Sequence, residues 1–243
     1  MRMLTFAKRN IREILRDPLN LAFGLGFPLV LLLLLSAIQA NVPVPMFEIA
    51  RLAPGIAVFG LSFLTLFSAT VIAKDRSSAL LQRLYTTPMK PVDFILGYTL
   101  PILPLALAQG LITFLAAMIL GLQPSVGIVW AAWYILPISL LHIAIGLLCG
   151  SMLNEKQVGG ICGALLTNLS AWLSGIWFDL ELVGEGFRKV AHMLPFVHAV
   201  ELERAALLGD SAGVRQHIWW VLGYDAALLI LAVAAFLRQM KRQ

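Results

Sequence analysis

Long runs of apolar residues separated by short charged segments form the main pattern along this chain. Between Asp93 and Glu155 lie 61 consecutive residues without Asp, Glu, Lys or Arg. One membrane-crossing helix needs about 20 residues, so this stretch predicts two helices, separated by a turn at 121–124 that ends in a proline. The whole pattern predicts an all-α, polytopic membrane protein whose six spans lie at about 21–38, 52–73, 97–120, 126–153, 157–178 and 217–237.

Residues 1–17 have a different pattern, in which apolar and basic residues occupy neighbouring faces of one helix. Lys8, Arg12 and Arg16 follow one another at four-residue spacing. Such a helix is expected to lie flat on an anionic membrane surface, and Asp17-Pro18 ends it before the first span. A simple membrane anchor and a helix that also contacts a cytoplasmic partner both fit the pattern. The apolar face consists of Leu4, Ala7, Ile11, Ile14 and Leu15.

The basic residues are distributed unevenly between the two sides of this predicted bundle. Thirteen of the 18 Lys and Arg residues fall on the side of the termini and five on the other side. Because basic residues concentrate in cytoplasmic segments, both termini are predicted to be cytoplasmic. The five on the outer side are Arg51, Arg188, Lys189, Arg204 and Arg215.

Composition supports lipid as the solvent of this fold. Hydrophobic residues make up 60% of the 243 residues and charged residues 13%, against about 25% charged in soluble proteins. The formal net charge of +5 therefore indicates the membrane surface rather than nucleic acid. Cys149 and Cys162 lie inside apolar runs and are interpreted as packing residues.

Candidate catalytic residues are few. The phosphate-binding pattern G-x-x-x-x-G-K-[ST] does not occur in the sequence, so the chain is not expected to hydrolyse ATP itself. Of the acids only Asp225 lies in a predicted span, and His142 is the only histidine deep in one. His142 is interpreted as a hydrogen-bonded packing residue, and the pair His192 and His198 lacks a third metal ligand nearby.

The segment 74–96 between the second and third spans is charged and long for a simple connection. It predicts a short helix with Ser78 as N-cap, ended by Pro88. An apolar face that projects into water needs a groove to cover it, although the face could instead fold back onto the membrane. The face consists of Leu80, Leu81, Leu84 and Tyr85.

Two spans carry small or polar residues at helical spacing. The pairs Gly160/Ala164 and Ala171/Gly175 in the fifth span permit close helix approach, and Asn168 needs a partner inside the membrane. Ser62 and Thr65 form part of a polar stripe in the second span. A subunit interface or a substrate pathway is the favoured interpretation of all seven residues, and ordinary bundle packing is the alternative.

The outer segment 179–216 contains Glu201 and Arg204 at i, i+3 spacing, and it predicts short helices. Asp225 is placed in the outer half of the sixth span, where a vestibule or a basic residue such as Arg188 or Lys189 could satisfy it.

An ordered set of motifs resembles the permeases of the ABC-2 type transporter family, which are membrane subunits of type V-like ABC exporters. The matching residues are 81–89 (LQRLYTTPM), 93–98 (DFILGY), Asn154-Glu155-Lys156-Gln157 and Leu194-Pro195-Phe196. The resemblance covers nearly the whole chain as one transmembrane domain, 1–243, and implies that the outer helices partly re-enter the membrane. It also implies that segment 74–91 transmits motion from an ATPase. The residues expected to make that contact are Arg76, Leu80, Leu81, Arg83, Leu84, Tyr85 and Pro88.

By this resemblance the chain is expected to be the permease of an exporter in a prokaryotic inner membrane. Two permease chains, identical or different, would pair with two cytoplasmic ATPase subunits that bind ATP and Mg, and this chain would bind no cofactor. The expected substrate is hydrophobic or amphipathic, such as a drug, a lipid or a glycan. The alternative is a stand-alone membrane protein such as a secondary carrier or a membrane enzyme, but no internal repeat and no acid cluster supports it.

Overall fold

A computed structural model describes residues 2–78 and 91–240, and helices dominate both ranges. The helices are α1 Arg2–Leu15, α2 Pro18–Leu21, α3 Phe27–Asn41, α4 Ile49–Ser77, α5 Pro91–Thr99, α6 Leu103–Ile119, α7 Val126–Met152, α8 Glu155–Val158, α9 Thr167–Trp172, α10 Glu185–Met193, α11 Pro195–Leu208 and α12 Ser211–Met240. Two π-helical segments, Ala22–Gly26 and Gly159–Leu166, join α2 to α3 and α8 to α9. Short 3₁₀ turns lie at Pro45–Phe47 and Leu180–Leu182.

Within the described ranges, five helical segments are long and apolar enough to cross a membrane. They are Ala22–Asn41, Ile49–Ser77, Val92–Ile119, Val126–Met152 and Ser211–Gln239. The predicted all-helical membrane fold is therefore confirmed. The predicted fifth span is helical from Glu155 to Trp172, with a π-helical centre, so the count of six spans stays a prediction.

Helix α4 is the centre of the bundle. Of its most apolar stretch, 89% of residues are buried inside the chain, against 17% for the first span. Helices α3, α6, α7 and α11 all pack against α4. A helix that is apolar on every side suits this central position, because its neighbours rather than water surround it.

Close contact between α4 and α7 depends on two glycines. A Cβ atom on Gly146 would lie 2.6 Å from the carbonyl oxygen of Thr65, and one on Gly150 would lie 2.8 Å from that of Ala69. Both distances are shorter than van der Waals contact, so only glycine lets the two backbones come this close.

The outer part of the chain folds back on the bundle as a helical hairpin. Helix α11 ends at Gly209, whose φ of 73° is left-handed, and Asp210 Oδ1 then accepts a hydrogen bond from the backbone N–H of Ala212. This glycine and acid end one helix and begin the next. As a result α11 lies buried between α4, α7 and α12.

Candidate functional site

The segment expected to contact an ATPase lies only partly within the described residues. Helix α4 runs on through Lys74 to Ser77, and α5 begins at Pro91, so the ends of the predicted 74–96 segment are helical. Arg76 is described. The expected contact residues outside the described ranges are Leu80, Leu81, Arg83, Leu84, Tyr85 and Pro88.

A charged cluster joins α1 to the end of α4, directly before residues 79–90. Asp75 is buried, with 1% of its surface exposed. Its Oδ2 and Oδ1 accept hydrogen bonds from Arg9 Nη1 at 2.5 Å and Arg9 Nη2 at 2.7 Å. Tyr98 of α5 donates its hydroxyl to the same carboxylate at 3.0 Å. Asp75 therefore connects three helices, and both of its oxygens have partners.

Glu13 extends this cluster along α1. It forms ion pairs with Arg9 at 2.6 Å and with Lys74 at 2.9 Å. Burial lowers the pKa of Arg9, but the hydrogen bonds and charge of Asp75, with the charge of Glu13, outweigh burial and raise that pKa. Two carboxylates and two cations thus balance each other at the junction of α1 and α4. We call Arg9, Glu13, Lys74, Asp75 and Tyr98 the α1 cluster.

An aromatic contact and an amide hydrogen bond hold α1 against α5. The ring of Phe6 meets Tyr98 edge to face, with centroids 5.0 Å apart. A Cβ atom on Gly97 would lie 2.3 Å from the Phe6 ring, so a glycine is needed beneath it. Asn10 is buried and donates its amide to the carbonyl of Gly97 at 2.9 Å. Helix α1 is therefore fixed to the element that follows residues 79–90 as well as to the element before them.

The end of α4 also contacts the turn between α7 and α8. Arg76 Nη1 donates to the carbonyls of Gly150 at 2.8 Å and Leu153 at 3.2 Å. Ser77 donates its hydroxyl to Glu155. The turn itself is a capping box, in which the Asn154 side chain accepts from the backbone of Gln157 and the Gln157 side chain accepts in return.

Both ends of segment 79–90 are thus attached to other elements of the bundle. Asp75 and Arg76 attach its first end to α1 and to the α7–α8 turn, and Gly97 and Tyr98 attach its second end to α1. A force applied to the segment would reach α1, α4, α5 and the α7–α8 turn through these hydrogen bonds and ion pairs. The ATPase contact expected of Arg76 stays a prediction. Asp75 and Asn10 were not singled out in the sequence, because their partners lie 66 and 87 residues away.

The two polar residues expected to line a pathway in α4 are buried inside this chain. Ser62 donates its hydroxyl to Phe59 O at 2.7 Å, one turn earlier. Thr65 donates to His142 O on α7 at 3.0 Å. Both hydroxyls are therefore engaged within the chain. His142 is likewise buried, and its Nδ1 lies 3.0 Å from Ile138 O.

The five residues singled out between 157 and 178 divide into an exposed and a buried group. Gly160, Ala164 and Asn168 are exposed at successive i, i+4 positions, and Asn168 donates its amide to Ala164 O at 2.7 Å. Ala171 and Gly175 are buried, and Gly175 O accepts a hydrogen bond from Arg204 at 3.2 Å. The exposed group forms a strip of small residues on the surface of the chain.

On the side opposite the α1 cluster, Arg204 connects several segments. Its Nη1 lies 2.8 Å from Glu201, at the i, i+3 spacing noted in the sequence. Its Nε and Nη2 donate to the carbonyls of Arg51 at 3.3 Å and Gly175 at 3.2 Å.

Of the two partners considered for Asp225, a basic residue is wrong, because its buried carboxylate oxygens accept no hydrogen bond from the described residues. Arg188 instead pairs with Glu181, and Lys189 with Glu185.

A contact between two histidines also lies on the side of the bundle opposite the α1 cluster. The sequence drew attention to His192 and His198 but not to His217, which lies 19 residues beyond His198. His198 Nδ1 lies 2.9 Å from His217 Nδ1, and His198 Nε2 lies 2.9 Å from His192 O. A carbonyl only accepts, so Nε2 carries the proton of a neutral His198 and His217 donates to its Nδ1.

A bundle of apolar helices, with an amphipathic, charged helix packed against one end of it, defines a polytopic membrane protein. The chain belongs to the ABC-2 type transporter family, whose sequence model matches residues 1–208. Nodulation protein J of Sinorhizobium fredii is 24% identical over 223 residues, which cover 91% of this chain and 80% of that protein. The capsule polysaccharide export inner-membrane protein CtrC of Neisseria meningitidis serogroup A is 26% identical over 110 residues. That second match covers 45% of this chain and 41% of CtrC.

Proposed function

We propose that this chain is the permease subunit of an ATP-driven exporter, moved by separate ATPase subunits that contact segment 74–91. The observation that carries the proposal is the attachment of both ends of that segment to α1 through Asp75, Tyr98 and Gly97. A contact made on the segment would displace α1, α4 and α5 together, and α4 is the central helix of the bundle. Membership of the ABC-2 type transporter family supports the same role.

The working assembly is a dimer of permease chains with two ATPase subunits, which bind ATP and Mg. We place both termini in the cytoplasm on the basis of the thirteen basic residues on that side. Residues 157–178 form the fifth of six spans, and the outer helices α10 and α11 partly re-enter the membrane. The substrate is hydrophobic or amphipathic, and the name of CtrC makes a glycan-bearing molecule the first to test.

Co-purification of the chain with candidate ABC ATPase subunits from the same organism tests the proposal. The complex in lipid is expected to show vanadate-sensitive ATP hydrolysis. The double variant Leu84→Asp/Tyr85→Asp should lose the ATPase subunit while still inserting into the membrane, because two buried charges would oppose docking of an apolar face.

A matched variant controls for the effect of two added acids. Leu182 and Val183 lie on the opposite side of the bundle and are 81% and 51% exposed. Leu182→Asp/Val183→Asp should keep the ATPase subunit bound. If both double variants retain the ATPase subunit, Leu84 and Tyr85 do not form the contact with it. If the unmodified chain binds no ATPase subunit, the result favours the alternative of a stand-alone membrane protein.

A further inference from the structure

A cavity of about 620 Å³ lies between α1 and α4, beside the α1 cluster. Its walls contain four basic residues, Arg9, Arg12, Arg16 and Lys74, against two acids, Glu13 and Asp17. The apolar part of the wall consists of Ile14, Pro18, Phe67 and Val71. One cavity thus combines a cationic rim with an apolar wall.

The ion pairs of the α1 cluster leave an excess of positive charge in this cavity. Arg9 is engaged by Asp75 and Glu13, and Lys74 by Glu13. Arg12 and Arg16 form no ion pair with any residue of the described ranges, and both are exposed. An anion in the cavity would therefore meet two guanidinium groups that have spare donors.

The position of the cavity matches the boundary between lipid headgroups and acyl chains. Phe67, Thr70 and Val71 belong to α4, which is long and apolar enough to cross the membrane. In the chain segment that leads from α1 into the first span, Leu15, Leu19 and Phe23 are 58%, 66% and 47% exposed. Such exposed apolar side chains beside arginines are typical of a helix that lies in the membrane interface.

We propose that this cavity binds one anionic membrane phospholipid, whose phosphate contacts Arg12 and Arg16 and whose acyl chain lies against Pro18 and Thr70, the accessible apolar part of the wall. The occupied site would hold α1 against α4 at the point where Glu13 already bridges Arg9 and Lys74. This inference needs only a membrane-embedded chain, so it stands apart from the proposed exporter function.

Native mass spectrometry of the detergent-solubilised chain, titrated with phosphatidylglycerol in mixed micelles, tests the site. We expect one tightly retained phosphatidylglycerol and none of the net-neutral phosphatidylcholine. Arg12→Gln/Arg16→Gln should weaken retention about tenfold for each arginine removed, the effect expected of a charge-assisted hydrogen bond. Thr70→Trp, which fills the apolar side while keeping every charge, should also lower retention.

The control removes two positive charges from the side of the bundle that carries the cavity, but at positions outside the cavity. Lys8 and Lys156 are exposed and do not line it. Lys8→Gln/Lys156→Gln should retain phosphatidylglycerol as the unmodified chain does. Equal loss in this control and in the arginine variant would show a general charge effect and overturn the site.

Inorganic phosphate distinguishes a phospholipid from a free anion. Inorganic phosphate should fail to displace phosphatidylglycerol at matched concentration, because it has no acyl chain to contact Pro18 and Thr70. Equal competition by inorganic phosphate would overturn the assignment to a lipid, and so would full retention of phosphatidylglycerol by the arginine variant.

Discussion

Asp75 shows how a single buried carboxylate joins three helices. It is almost fully enclosed, yet Arg9 and Tyr98 supply three hydrogen bonds to its two oxygens. Enclosing a carboxylate is costly unless such partners are present, and removing its charge leaves the partners unsatisfied. Asp75 is therefore expected to contribute much of the free energy that holds α1 against α4 and α5.

Replacing Asp75 by Asn should destabilise the folded chain by about 1–3 kcal/mol, because the charge that Arg9 faces is lost while Arg9 remains partly solvated. The measurement is the thermal midpoint of unfolding in detergent, with protease cleavage of α1 as a local readout. Glu185→Gln, at an ion pair with Lys189 whose side chains are 69% and 70% exposed, should change stability by less than about 1 kcal/mol. Equal shifts in the two variants would contradict the role of Asp75.

Glu203 makes a second prediction at the residue scale. It is fully buried on α11, and its oxygens accept no hydrogen bond from the described residues. Burial raises its pKa well above the ordinary value. The folded state therefore keeps a proton that the unfolded chain loses above about pH 4.3. The stability associated with this proton is fully present at lower pH and is lost as pH rises towards the raised pKa.

Glu203→Gln should accordingly raise stability at neutral pH and flatten the dependence of stability on pH. Unfolding midpoints measured from pH 5 to pH 8 check this. Glu181→Gln, at a residue whose side chain is 80% exposed, should leave the slope unchanged. If the unmodified chain and Glu203→Gln have the same slope, Glu203 is not protonated in the folded state.

At the scale of elements, the contact between α4 and α7 depends on backbone proximity. Gly146 faces Thr65 and Ser68, and Thr65 bonds to a carbonyl of α7. Without water between the helices, their association relies on close packing and on such hydrogen bonds. A side chain added at Gly146 would therefore separate the bundle at its centre.

Gly146→Val is expected to cost about 1–3 kcal/mol of stability through overpacking. The yield of monodisperse protein after extraction and the thermal midpoint measure the effect. Gly223→Val on α12 is the matched control, because a Cβ atom there meets nothing within 4 Å. A comparable loss at Gly223 would show that valine itself, rather than the α4–α7 contact, is responsible.

At the scale of the whole molecule, the exposed strip of Gly160, Ala164 and Asn168 is predicted to form a subunit interface or to line a substrate pathway, and the interface can be tested directly. A Cβ atom on Gly160 contacts nothing within 4 Å, so the chain itself does not explain the small residue. Small residues at four-residue spacing permit the close approach of a partner helix.

Gly160→Leu/Ala164→Leu should therefore leave the folded chain intact but reduce dimer formation at least about tenfold, because two large side chains would hold the partner away. Analytical ultracentrifugation in detergent, or single-molecule bleaching in lipid, measures the change. Gly223→Leu/Ala227→Leu, an exposed pair of the same spacing on α12, should leave the dimer population unchanged. Dimerisation that survives the first variant would exclude this strip as the interface.

Hydropathy and charge predict which residues leave water, and the bundle confirms that part of the prediction. The long apolar runs became the five candidate spans, and residues 1–17 became an amphipathic helix, Arg2–Leu15. Each of these features is a property of a continuous segment, so transfer to lipid or to an interface decides it locally. The Glu201–Arg204 pair was predictable for the same reason, since one turn of helix separates the two residues.

Pairings between distant segments came only from the packed structure. Nothing in the residue order connects Arg9 with Asp75, 66 residues away, whereas packing brings the two side chains together. From the sequence, Arg188 and Lys189 were considered as partners of Asp225, but both pair with acids close to them in the chain. Apolar spans specify burial without specifying neighbours, because lipid and a second helix are equally apolar surroundings. Which charged groups meet at the ends of the helices therefore depends on how the bundle packs.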